Sequence, residues 1–182
     1  CDVTINVGSN EGWGLSSTEA LMAGRVIINN VTGGLQDQLR FEDENGEWIE
    51  FDETFASNHT GKYKKHGVWG KAVFPSSINL QGSIPTPYIF DDRVDIRVIA
   101  QAMDYWYEVT PAERKVRGMA GREWVVSDEA KMTAQAMSNN FINSCDLVLD
   151  NWMPPSRFTL YNCQAEIENN NNKLTGIELS YE

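Results

Sequence analysis

A chain of 182 residues with 41% hydrophobic side chains, among them six Trp, six Tyr and seven Phe, has enough apolar surface for one globular core. Its formal net charge of -11 excludes sequence-independent binding to nucleic acid or an anionic membrane, which needs a basic face, and no run approaches the ~18 apolar residues of a membrane span. Three cysteines, Cys1, Cys145 and Cys163, are too few and too scattered for a disulfide framework, and no Cys or His spacing reads as a metal site. Reduced thiols, a cytoplasmic location and no metal are therefore the expectations.

Cys1 leads at once into a strand-like run, Val3 to Val7, and a domain rarely begins in mid-sheet, so the chain is expected to continue upstream. Residues 3 to 7 and 26 to 28 read as short β-branched strands of the kind buried in a parallel sheet. Between them, Ser16 to Ala23 has room for about two helical turns, with Gly24 placed to end the helix. Strand, helix and strand in tight succession form a βαβ unit with an expected right-handed crossover. N-x-T sequons occur at Asn30 and Asn58. Asn30 ends an apolar run at an expected strand terminus, and both are read as chance matches.

Residues 40 to 92 read as a long, irregular insertion rich in Gly, Pro and aromatics, with strands expected only at Trp48 to Phe51 and Ala72 to Phe74. Lys62, Lys64, Lys65 and His66 concentrate its positive charge. The segment either shapes a ligand pocket or is a solvated basic turn followed by a packed aromatic flap. Three helices follow. Asp95 to Glu108 sets Ile96, Ile99, Met103 and Trp106 on one face. Thr110-Pro111-Ala112-Glu113 is a capping box opening a helix to about Val126. Ser127 is expected to cap the third, to about Ser144, with Met132, Met137 and Phe141 as core contacts. Beyond Pro154-Pro155, Arg157 to Ile167 and Leu174 to Tyr181 flank an Asn-rich turn and suggest a β-hairpin. The expected organisation is a domain over 1–152, incomplete at its N-terminus, and a tail over 153–182.

The stretch from Asn6 to Gly34 carries the chemistry. A glycine-rich turn from a strand end into a helix N-terminus presents unbonded amides and the positive end of the helix dipole to an anion. Gly12 and Gly14 let the backbone approach a ligand, in the crevice beyond the strand ends where open α/β sheets bind theirs. Glu19 also completes a capping box with Ser16 as N-cap, which would explain it without a ligand. Glu11, before Gly-Trp-Gly, gains nothing from capping, and its plain alternative is a solvated loop carboxylate.

Taken together, "EGWGLSSTEALMAGRVIINNVTGG" resembles the nucleotide-sugar signature of the group 1 retaining glycosyltransferases of GT-B fold. In that family two glutamates separated by seven residues span a glycine-rich loop and helix, followed by an apolar strand and a Gly-Gly turn. The match covers about Asp2 to Gly34, with a looser likeness over Asp91 to Val126. Trp13 stands where the family more often has Phe, and Arg25 at a commonly small or polar position.

The resemblance implies an α/β fold: a partial Rossmann-like parallel sheet with flanking helices, as in the C-terminal half of a GT-B glycosyltransferase. It implies that Glu19 binds the donor ribose and that Glu11 acts catalytically at the donor sugar, steadying positive charge in the transition state. The amides around Gly12, Trp13, Gly14, Leu15 and Ser16 would meet the sugar and the diphosphate. The implied partner is a nucleotide sugar, with no cofactor or metal, and a glycan, lipid or protein as acceptor. The family's Arg/Lys pair on the diphosphate comes from strands preceding this motif. Neither that pair nor an acceptor domain lies in these 182 residues, so the chain is expected to hold half of one active site and to be inactive alone. The competing readings are a non-catalytic or relic nucleotide-sugar-binding module and, on the same fold, an epimerase or phosphorylase.

Overall fold

The computed structural model describes residues 1–49 and 63–153, and the chain divides into two compact units, Cys1–Met137 and Ser138–Glu182. Asn58, Lys62, Cys163, the second half of the strand expected at Trp48 to Phe51, and the expected tail hairpin lie outside the described residues.

The first unit is built on three parallel strands in the order β1 (Val3–Asn6), β2 (Val26–Asn30), β3 (Gly70–Val73). The central β2 is Val-Ile-Ile-Asn-Asn, and all five residues are buried, as a strand covered on both faces requires. Successive side chains of a strand point to opposite faces, and β2 divides its apolar residues between two clusters. Ile27 joins Leu21, Leu39, Phe41, Trp69, Trp124 and Val125, whereas Val26 and Ile28 join Val73, Ala102 and Trp106. Helices α1 (Leu15–Met22) and α4 (Pro111–Val125) supply the first cluster and α3 (Ile96–Glu108) the second. The chain is therefore α/β, a parallel sheet with flanking helices. A five-residue helix, α2 (Gly33–Asp37), follows β2 directly.

Local signals placed α3 and α4 well. Asp95 caps α3 by accepting from the Arg97 amide at 2.8 Å, and Thr110 caps α4 by accepting from the Glu113 amide at 3.2 Å, with Pro111 at the first helical position. The Glu113 carboxylate takes Arg117 as its partner. The packed stripe of α3 runs through Ile99, Ala102 and Trp106, while Ile96 and Met103 are exposed. Trp124 of α4 stacks on Trp69, centroids 5.0 Å apart at 20°, and Trp48 meets Trp124 edge-on at 5.6 Å.

Two expectations are corrected. Residues 77 to 93 are not irregular: β4 (Ser77–Ser83) and β5 (Thr86–Arg93) form an antiparallel hairpin turning at Ile84-Pro85, with a register shift between Gln81 and Ser83. A proline in the turn and another in β5 disguise it, since proline within a run demotes a strand reading. The third helix, α5 (Ala134–Asn151), starts at Ala134 because Thr133 caps it, accepting from the Ala136 amide at 3.1 Å; Ser127 caps only a turn, accepting from the Ala130 amide. Met132 packs against the core, but Met137 and Phe141 are exposed. Among the described residues no helix is long and apolar enough to cross a membrane.

Candidate functional site

β1 ends at Asn6, and the chain runs through Val7 to Gly14 before α1 begins, so the glycine-rich loop lies at the C-terminal edge of the sheet. Helix α1 starts earlier than the capping-box pattern implies. Gly14 is its N-cap, in the left-handed region at φ 82°, where a Cβ would sit 2.3 Å from Leu35 Cδ2. Ser16 is thus inside the first turn, and its hydroxyl accepts from Asn6 Nδ2 at 3.3 Å. Glu19 is beyond reach of an N-cap role. It is exposed, and its carboxylate makes no hydrogen bond or ion pair among the described residues. The capping explanation of Glu19 is therefore overturned, and its carboxylate is left uncommitted. Glu11 is half-buried and likewise has no side-chain partner among the described residues.

The loop rests on α2. Gly33 and Gly34 have no room for side chains, because a Cβ would lie 2.1 Å from the Glu11 carbonyl oxygen at Gly33 and 2.4 Å from that of Gly12 at Gly34. The Gly34 amide donates to the Glu11 carbonyl at 3.2 Å. Gln38 Nε2 donates to the carbonyls of Trp13 at 2.5 Å and Gly14 at 3.2 Å. Gly12 differs from these glycines. A Cβ there meets nothing within 4 Å, and its φ is not positive.

The amides of Gly12, Trp13, Gly14, Leu15 and Ser16 donate to no acceptor among the described residues, and the first α1 amide to find a partner is Ser17, which donates to the Gly14 carbonyl at 3.0 Å. A row of unbonded donors at the positive end of a helix can hold an oxyanion. Trp13 is partly exposed and tethered, its Nε1 donating to Thr18 Oγ1 at 3.0 Å. Leu15 is exposed. All seven expected site residues thus fall on one loop and the first turns of one helix.

Sequence reasoning missed the amides beneath the loop. Ser17 Oγ donates to Asn29 Oδ1 at 2.8 Å, and Asn29 Nδ2 donates to the Leu35 carbonyl at 3.1 Å, so one buried side chain of β2 ties α1 to α2. Asn30 Nδ2 donates to the carbonyls of Gly8 at 2.8 Å and Asp92 at 3.0 Å. Its complete burial makes the sequon at Asn30 inaccessible in the folded chain, as expected. Buried Asp92 completes this corner. Its amide donates to the Ser9 carbonyl at 2.7 Å, and its Oδ2 accepts from Thr32 Oγ1 at 2.7 Å, which moors the base of the hairpin beside the loop. Two consecutive amides closing a buried apolar strand were the available signal.

The positive charge of residues 64 to 66 is partly committed elsewhere. Lys65 pairs with Glu42 at 3.0 Å, Glu42 with Arg40 at 2.7 Å, and Arg40 with Glu129 at 2.7 Å. The Lys65 ammonium, and after it Arg40, holds the Glu42 carboxyl below the usual carboxylate range, and Arg40 does the same to Glu129. For Lys65 the solvated, locally neutralised turn is therefore the better description. No group of His, Cys, Asp and Glu able to hold a metal occurs among the described residues. Compared with known proteins, the chain matches no family model, and no curated protein matches its sequence.

Proposed function

We propose that the loop from Glu11 to Ser16 binds the diphosphate of a nucleotide sugar, and that the chain is the donor-binding part of a retaining glycosyltransferase of GT-B fold. The observation that carries the reading is the row of amides from Gly12 to Ser16 at the head of α1, flanked by the Glu11 and Glu19 carboxylates, all without a partner among the described residues. The side-chain space at Gly12 supports it, since neither packing nor backbone conformation asks for glycine there.

The chemistry follows from charge. Transfer breaks the bond between the anomeric carbon and the diphosphate oxygen; the electron pair leaves with the diphosphate, which takes up the proton that the acceptor hydroxyl loses as its oxygen forms the new bond. Preorganised amides stabilise the charge gained by the leaving group. Glu11 steadies the opposite charge on the sugar, and Glu19 accepts hydrogen bonds from the ribose hydroxyls. The reaction is assigned to the cytoplasm on cysteine usage, with a glycan, lipid or protein as acceptor.

The reading is tested by binding of UDP-, GDP- and ADP-sugars to the chain and by transfer in any longer chain that contains it. Glu19→Ala should weaken nucleotide binding about tenfold, the worth of one charge-assisted hydrogen bond pair. Glu11→Ala should leave nucleotide binding within about twofold and slow transfer by about a hundredfold or more. Unchanged binding and turnover in both variants would end the proposal.

A further inference from the structure

The geometry points to Gln38 as a positioning residue that sets which way the peptide groups of the Glu11–Ser16 loop face, and so sets the loop's affinity for a diphosphate; the inference rests on the nucleotide-sugar reading above. In a trans peptide the carbonyl of one residue and the amide of the next lie in one plane and point in opposite directions. A carbonyl held against the protein therefore turns the following amide outward. Gln38 Nε2 holds the Trp13 carbonyl inward, which turns out the Gly14 amide; the Gly14 carbonyl also accepts from Gln38, but the Ser17 amide of α1 holds it as well at 3.0 Å, so the Leu15 amide is turned out by the helix itself. The Gly34 amide holds the Glu11 carbonyl and turns out that of Gly12. The Gly12 carbonyl packs directly on Gly34, where a Cβ would lie 2.4 Å from it, and the Trp13 amide faces away accordingly.

Gln38 itself is fully buried, and its Oε1 has no hydrogen-bond partner among the described residues. The orientation of its amide is nevertheless unambiguous, because the opposite one would set an oxygen against two carbonyls. The residue thus leaves a buried acceptor unsatisfied, which folding alone disfavours, to present both hydrogens to the loop. Its own backbone is pinned by Trp69 Nε1, which donates to the Gln38 carbonyl at 3.0 Å, so the side chain reaches the loop from a fixed base.

A tie that merely staples α2 to the loop would make the same two bonds, and substitution distinguishes the two roles. Gln38→Met keeps the volume and removes both donors. Gln38→Glu keeps the shape but sets a carboxylate against the two carbonyls, which drives the Trp13–Gly14 peptide to turn over and donate inward, while the first turn of α1 holds the Gly14–Leu15 peptide. With inorganic pyrophosphate as the probe and amide 15N–1H shifts of the full chain as the readout, wild type should respond at Gly12 to Ser16. Gln38→Met should bind about tenfold more weakly with a small change in Tm, and Gln38→Glu should lose the response at Gly14 while Leu15, held by α1, keeps its own. In wild type without pyrophosphate, the Gly14 and Leu15 amides should exchange as unbonded groups and slow about tenfold when it is added.

Wild-type affinity in both variants overturns the inference and leaves the donor reading standing. So does an affinity loss that only tracks Tm, with shifts spread over the whole sheet, and so do Gly14 and Leu15 amides already protected without ligand, a result that needs no variant to fold. A wild-type chain that shows no response to pyrophosphate at Gly12 to Ser16 instead removes the nucleotide-sugar reading, and this inference with it.

Discussion

At the scale of single residues, glycines with the same appearance in the sequence do opposite work. Gly34 is required by the fold, because a Cβ there would collide with backbone atoms of Gly12 and Trp13 at 2.4 and 2.7 Å. Backbone cannot swing aside as a flexible side chain can, so Gly34→Ala should cost about 1–3 kcal/mol, the usual range for overpacking, and displace the loop. Gly12 faces open space at a φ that any residue adopts. Gly12→Ala should therefore hold or raise stability, by up to about 1 kcal/mol through loss of unfolded-state freedom, while weakening pyrophosphate and nucleotide-sugar binding. Urea unfolding beside a binding titration checks the pair. Equal binding by Gly12→Ala and wild type would mean that nothing approaches the backbone there. Glu11 and Glu19 were legible as a pair because their spacing is a sequence property. Asn6, Asn29 and Gln38 were not, because their work is to bond carbonyls and side chains that only the fold brings near.

At the scale of elements, what was legible was what is decided locally. Thr110-Pro111 and Asp95 announce helices within one turn of themselves, and an uninterrupted β-branched run announces a strand buried on both faces. The β4–β5 hairpin escaped notice because it carries one proline in its turn and another in β5, breaks register once and turns through Ile84-Pro85 rather than an Asn-Gly type of pair. A two-stranded hairpin is marginal by itself, and this one is held at its base by Asp92, through the Ser9 carbonyl, the Thr32 hydroxyl and the Asn30 amide. Asp92→Ala keeps the backbone bonds and strands the buried Thr32 hydroxyl, which should lower stability by about 1–3 kcal/mol. Amide exchange over Ser77 to Arg93 should quicken well before exchange in β2 does. Thr32→Val, which removes the donor but leaves the carboxylate buried, should cost at least as much, since the stranded group is then the charged one. Exchange in the hairpin unchanged by either substitution would show that the backbone contacts alone secure it.

At the scale of the whole molecule, acid should act in two separate windows. His66 sits half-buried against Phe41, ring centroids 5.8 Å apart, and burial, with the nearby Lys71 ammonium adding to it, pushes its pKa below the ordinary value of 6.5 despite the Gly67 carbonyl 3.0 Å from Nδ1. The folded state thus resists the proton that the unfolded chain accepts. Stability is full above about pH 6.5 and declines as pH falls from there toward the depressed folded value. Glu42 and Glu129, held below their ordinary 4.5 by Lys65 and Arg40, contribute stability that is present above that value and lost as pH falls through the lowered one. The net charge of -11 works against both, because acidification relieves self-repulsion and so favours the compact state. Salt separates the effects. At about 0.5 M salt the Debye length falls below 5 Å and long-range repulsion is screened, while the proton affinity of a half-buried imidazole, set first by desolvation, persists. Unfolding measured in that salt from about pH 2.5 to 7.5 should show two declines on the way down, and His66→Gln should flatten the upper one alone. A profile that stays flat between pH 5 and 7 in wild type would mean that the His66 ring meets water in the folded chain.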